Sequence, residues 1–225
     1  MLRKLLIGLL LLIVVLVVVT DRVGGAVAGH VLAGKLQTDE DLPSRPSVSI
    51  SGFPFLTQAF HGRYSDVSVT AHGYKTTDGV QIQTLKVHLH GMHVPLSHVL
   101  NGSVSRVPVD HVDGTAFLSF ADIVHYLAGQ AVTVTLSRAS PGSVEVIRQV
   151  HAGGNTKLLK GVAAVAVNGA NVTLSLAASA APKLKPLVLS IPLRGLPFRI
   201  NVTSVEVTAG GLLGAGTADH VTLGS

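Results

Sequence analysis

Between residues 67 and 203 apolar and polar side chains repeatedly alternate one for one. Val67 and Val69 alternate with Ser68 and Thr70, and Leu85, Val87 and Leu89 with Lys86, His88 and His90. Val132, Val134 and Leu136 alternate with Thr133, Thr135 and Ser137, and Val172, Leu174 and Leu176 with Thr173, Ser175 and Ala177. Ile200 and Val202 alternate with Asn201 and Thr203. A period of two does not fit a helix. It sends every second side chain to one face of a strand, so each stretch has an apolar face to cover and a polar face for water. Asp78-Gly79, Asn101-Gly102, Pro141-Gly142 and Asn168-Gly169 supply turns between such stretches, so neighbouring strands run antiparallel. About eight to ten strands are expected.

Helical signals are few. Ser119-Phe120-Ala121-Asp122 has the form of a capping box with Asp in place of Glu, opening a helix that runs to Gln130. A shorter piece follows Pro54 and carries Leu56, Ala59 and Phe60. From Asp21 to Leu36, Val23, Val27, Val31 and Leu32 recur at helical spacing, and Asp39-Glu40-Asp41-Leu42-Pro43 then forms an acidic linker. These elements define an α+β chain whose mainly antiparallel sheet has little helical cover. A strongly curved sheet wrapped around two or three helices, with a residual apolar groove, is the expected solution. The chain has no Trp and no Cys. The core is therefore aliphatic, and disulfides, thiolate nucleophiles and Cys-ligated zinc are excluded.

Arg3-Lys4 precedes an unbroken apolar run from Leu5 to Val19. The run suits both the core of a secretory signal and a membrane anchor. Ala26 and Ala28 form a small-x-small pattern, but they lie beyond Asp21 and Arg22, which favours retention as an anchor. By the positive-inside rule the basic pair stays cytoplasmic and the rest is exported. The expected organisation is a signal-anchor at 1–20 and one domain at 21–225, with a helix at 21–37 and a linker at 38–46.

Charge is uneven. The chain carries 17 Lys and Arg against 12 Asp and Glu, a net charge of +5. No acid lies between Glu145 and Glu206, whereas seven bases do, so that segment is +7 and the remainder −2. Such a segment attracts anionic headgroups or serves as a solvated surface. Nucleic acid is not an expected partner, since export and the lack of interleaved aromatics argue against it. His88, His90 and His93, with His98 nearby, form the one metal-like constellation. On a strand His88 and His90 share a face, but no carboxylate follows before Asp110, so no metal or other cofactor is expected. G-x-S-x-G, the Walker sequence and the dinucleotide fingerprint are all absent, and Asp110, His111 and Asp113 come with no nucleophile. No catalytic residue is expected. Seven of the nine aromatics fall in two clusters, Phe53, Phe55, Phe60 and Tyr64, and Phe117, Phe120 and Tyr126. They either plug the ends of the core or line a lipid-accessible mouth.

Gly52-Phe53-Pro54-Phe55-Leu56-Thr57-Gln58, then Gly62 and Tyr64-Ser65-Asp66-Val67, resemble the signature of the actinobacterial LmeA-like phospholipid-binding family. The Ser119-to-Leu127 segment, Leu196-Pro197-Phe198, Val205-Glu206-Val207 and Gly210-Gly211-Leu212 extend the likeness over about residues 20–224. The resemblance implies an exported cell-envelope (periplasmic) protein that binds phospholipids, phosphatidylinositol types among them, and supports mannan-lipid (lipoglycan) assembly. It also implies a fold like the tubular lipid-binding (TULIP-like) domains. On this reading Phe53, Phe55, Leu56, Phe60, Tyr64, Phe117, Phe120 and Tyr126 form the apolar mouth. Lys157, Lys160, Lys183, Lys185 and Arg194 hold the anionic headgroup. The alternative is a non-catalytic envelope structural or interaction protein with a filled core.

Overall fold

The computed structural model describes residues 2–39, 41–95, 106–152, 155–168, 171–176, 188–192 and 200–223. It is an α+β structure with mostly antiparallel sheets and three helices among the described residues. The helices are α1 (Leu2–Asp39), α2 (Phe55–His61) and α3 (Phe120–Gly129). The strands are β1 (Ser47–Ser51), β2 (Arg63–Lys75), β3 (Gln81–His93), β4 (Val107–Ser119), β5 (Val134–Ser140), β6 (Ser143–Ala152), β7 (Asn155–Asn168), β8 (Asn171–Leu176), β9 (Val188–Pro192), β10 (Asn201–Val207) and β11 (Gly211–Leu223). The expected turns at Asp78-Gly79 and Pro141-Gly142 fall between β2 and β3 and between β5 and β6. Asn101-Gly102 lies outside the described residues.

One strongly curved sheet is not what these strands build. They form two open sheets, neither closed nor strongly curled: six strands in the order β1-β2-β3-β4-β11-β10, and five in the order β5-β6-β7-β8-β9. The physical reason is that alternation fixes which face of a strand is apolar but not which strand it pairs with. The β5–β9 run closes each hairpin on its neighbour in sequence, with Ser140 opposite Ser143 and Asn168 opposite Asn171, and so becomes a meander of its own.

The chain divides into two compact units. Unit 1 comprises Met1–Thr70, His88–Val112 and Asp219–Ser225, and unit 2 comprises Ala71–Val87 and Asp113–Ala218. In unit 1 the long helix packs on β1 and α2. Its buried stripe is Asp21, Gly25, Gly29 and Ala33. Val23, Val27 and Val31, the apolar residues at helical spacing, are more than half exposed. The reason is backbone proximity: a Cβ on Gly29 would stand 2.7 Å from the Val48 carbonyl oxygen, so α1 approaches β1 on the face that has almost no side chains. In unit 2 the aliphatic sides of the two sheets cover each other, with Ile82, Val144, Val146, Leu174, Ile191 and Leu212 almost wholly buried. Each such side chain contributes about 1.5–3 kcal/mol. α3 is capped as its sequence predicts, the Asp122 amide donating to Ser119 Oγ at 3.1 Å, and it buries Phe120, Ile123 and Leu127.

Candidate functional site: a cleft in unit 1 and a seam in unit 2

The Gly52-to-Gln58 string builds a small platform on α1. Gly52 sits at φ 101° and Pro54, at the N-cap of α2, has no side chain able to cap. α1 supplies the missing acceptor: the Leu56 amide donates to Asp21 Oδ1 at 2.9 Å. Gln58 fastens the other side, donating from Nε2 to the Ser51 carbonyl at 3.3 Å and accepting from the Ser65 amide at 2.8 Å. Gly62 ends the helix in the left-handed region at φ 62°, and its carbonyl accepts from the Val94 amide at 2.8 Å. Asp21 and Gln58 thus each have a structural role, which was not read from the sequence. For Gln58 the signal lay in the string itself; Asp21 gave none, being read only as a charge after the apolar run.

The expected mouth residues of this unit divide by role. Phe55 is buried, its ring in van der Waals contact distance of Gly24 and Gly25 and 6.3 Å from the ring of Tyr64, which is also buried. Burial pushes the Tyr64 phenol above its ordinary range. Phe53, Leu56 and Phe60 face outward, Phe60 being 79% exposed. Arg22 lies over the Phe53 ring at 5.5 Å.

Between α1 and β1 runs a cleft of about 430 Å³, lined by Asp21, Arg22, His30, Arg45, Phe55 and the backbone-rich edge of β1. Arg45 Nη1 donates to His30 Nε2 at 3.0 Å. Asp21 is 1% exposed, and its Oδ2 is buried with no hydrogen-bond partner.

In unit 2 the two sheets meet along an apolar seam lined by Leu85, Leu118, Val172, Ile191, Ile200 and Leu212, among others. Its cavity is about 20 Å³, room for about one water molecule. Phe120 of the second aromatic cluster is buried, while Phe117 and Tyr126 are half-buried. Of the expected headgroup residues, Lys160 projects from β7 with its Nζ 4.0 Å from Glu145 Oε1. Leu158 and Val162, which alternate with it on the same face, are exposed. Lys183, Lys185 and Arg194 and the side chain of Lys157 lie outside the described residues.

His88 and His90 do share a face of β3, with their rings stacked 6.3 Å apart. Both approach Asp66 Oδ1, at 3.6 and 3.5 Å. The His90 ring stacks at 6.0 Å on His111, which pairs with Asp219, and His93 stands 3.4 Å from Asp110. His98 lies outside the described residues. Among the described residues no group of three His, Asp or Glu is arranged to hold a metal ion.

α1 is long and apolar enough to cross a membrane, and residues 2–19 are exposed along their whole length. Such a helix is consistent with a signal anchor or a signal sequence. The chain belongs to the LmeA-like phospholipid-binding family, whose model matches residues 19–217. That is a family of lipid-binding domains rather than a known enzyme family. No curated protein and no solved structure matches the chain. Phospholipid binding is the role that membership supports.

Proposed function

We propose that the protein is an exported phospholipid-binding protein of the cell envelope, tethered by α1, with residues 21–225 working as one lipid-binding domain on the extracytoplasmic side. The observation that carries this reading is the family match over residues 19–217. The exposed apolar length of α1 supports the tether. Acyl chains would enter the unit 2 seam, where each buried methylene contributes about 0.8 kcal/mol. Since the seam holds about 20 Å³, entry requires the facing side chains of the two sheets to part, and the tubular architecture expected for the family would be the loaded form. Phe53, Leu56, Phe60, Phe117 and Tyr126 would meet lipid, with Phe55, Tyr64 and Phe120 setting their positions. Lys160, with Lys157, Lys183, Lys185 and Arg194, would draw the domain to an anionic, phosphatidylinositol-type surface, in support of lipoglycan assembly.

The packed seam favours one second reading, an envelope interaction protein with a filled core and no lipid cargo. Solvent extraction of the purified full chain, followed by mass spectrometry, separates the two. Stoichiometric phospholipid is expected; a clean extract together with equal binding to anionic and neutral vesicles favours the filled core.

A further inference from the structure

The α1–β1 cleft contains a buried acceptor with nothing to accept from. Asp21 uses Oδ1 on the Leu56 amide, while Oδ2 has no partner among the described residues although the residue is 1% exposed. Leaving a buried carboxylate oxygen unsatisfied is strongly unfavourable, so the position calls for a hydrogen-bond donor. The remaining charged groups lining the cleft are Arg22 and Arg45, with His30 beside the latter, and among the described residues no second acid lines it. Neither arginine has a carboxylate partner among the described residues. The cleft therefore offers one acceptor and two cations in about 430 Å³.

Depth along α1 says what reaches it. Asp21 and Arg22 lie two and three residues past Val19, the last residue of the apolar run, or about 3–4.5 Å at 1.5 Å per residue. The polar layer of a bilayer leaflet is about 5–7 Å deep, so a helix spanning with its apolar run would hold these two residues at headgroup level. His30 stands farther out along the same helix, and Arg45, in the segment between α1 and β1, is hydrogen-bonded to it.

We propose that this cleft binds a phospholipid headgroup that carries a hydrogen-bond donor, a hydroxyl or a primary ammonium, on its phosphodiester. The phosphate takes the Arg22 guanidinium, the donor satisfies Asp21 Oδ2, and Arg45, held by His30, adds positive potential at the outer end. This rests on the phospholipid-binding reading and assigns the headgroup to a stoichiometric site distinct from the diffuse basic surface around Lys160.

The test uses the full chain in detergent micelles doped equally with phosphatidylglycerol, phosphatidylethanolamine and phosphatidylcholine, with retained lipid counted by native mass spectrometry. The wild type is expected to retain phosphatidylglycerol or phosphatidylethanolamine about tenfold over phosphatidylcholine, whose quaternary ammonium donates no hydrogen bond. Asp21→Asn keeps an acceptor for the Leu56 amide and removes the charge; it should fold and should bring that ratio below about threefold. Arg22→Gln should lower retention of all three lipids about tenfold. If both cleft variants hold lipid with unaltered preference, the cleft is not the headgroup site and the proposal falls while phospholipid binding stands. If no variant, nor the wild type, retains lipid, the phospholipid-binding reading itself fails and takes the proposal with it. A third arm adds inorganic phosphate. Displacement of the lipid at equimolar phosphate would make the cleft a simple anion site and overturn the proposal.

Discussion

The cleft of unit 1 and the seam of unit 2 are both recesses beside sheet strands, yet one is roomy and the other is closed. The cleft holds about 430 Å³ and is lined by two arginines, a histidine, an aspartate and the bare backbone of Gly25 and Gly29. The seam holds about 20 Å³ and is lined by aliphatic side chains of two facing sheets and by Gly114, Gly214 and Gly216. Branched apolar side chains pull their own surfaces together until no void is left. In the seam Ile200 closes over Gly114 and Gly216, whereas in the cleft no comparable apolar side chain among the described residues covers Gly29, and the like charges of Arg22 and Arg45 do not drive that room to collapse. In this protein ready space for a ligand therefore lies among polar groups, whereas space for acyl chains has to be opened against packing.

The largest test of that contrast makes the seam roomy. Leu212 is 2% exposed and lines it. Leu212→Ala should lower unfolding stability by about 2–5 kcal/mol, since the surrounding strands relax only partly around the void. Urea unfolding of the wild type and the variant measures the loss. Lipid bound per chain, counted after extraction, should rise if the seam is the acyl site. Unchanged lipid together with the full stability loss would make the seam purely structural.

The reverse change closes the cleft. Gly29→Val places a branched side chain where a Cβ alone already comes 2.7 Å from the Val48 carbonyl oxygen. The expected cost is about 1–3 kcal/mol from overpacking, read as a lowered melting temperature. Headgroup preference should go with it, because α1 must move off β1. Retained preference at full stability would show that the cleft tolerates filling and that its room has no ligand role.

These two positions also show what the sequence could and could not reveal. Strand stretches were legible because a one-sided strand must alternate, and Val67, Leu85, Val87, Leu89, Val134, Leu136, Val172 and Leu174 are all buried as that rule requires. The Ser119 cap was legible because an N-terminal amide needs an acceptor. The two-sheet arrangement was not, since the same pattern suits either one sheet bent on itself or two laid face to face. The helical spacing of Val23, Val27 and Val31 made the helix legible, but not its inward face, because the contact is made where side chains are missing. Gly25 and Gly29, four apart, were the available signal. The Gly52-to-Gln58 string was correctly singled out, but its Phe55 and Gln58 turn out to hold α2 in place, and only Phe53 and Leu56 with neighbouring Phe60 face outward.

A smaller effect separates the units by pH. Burial raises the Tyr64 phenol in the folded state above the 10.0 of a free tyrosine. The unfolded chain therefore ionises first as pH rises. The stabilisation is complete below pH 10 and is lost as pH climbs through the folded value. Unfolding free energy measured at intervals above pH 9 should be flat up to about pH 10 and then fall. Tyr64→Phe should remove that part of the decline. A variant that declines like the wild type would place the alkaline-sensitive group elsewhere.

The smallest change in stability should come from Phe60. At 79% exposure its ring contributes almost nothing to packing, so Phe60→Ala should stay within about 0.5 kcal/mol of the wild type. That near-neutrality makes it the clean probe of function, whereas replacing buried Phe55 would confound folding with uptake. If Phe60 inserts into the bilayer surface beside α1, removing the ring forfeits about 1.5–3 kcal/mol of apolar transfer, and transfer of a fluorescent phospholipid from vesicles to the chain should slow about tenfold. Uptake at the wild-type rate would remove Phe60 from the lipid path and leave the outward face of α2 without a role in binding.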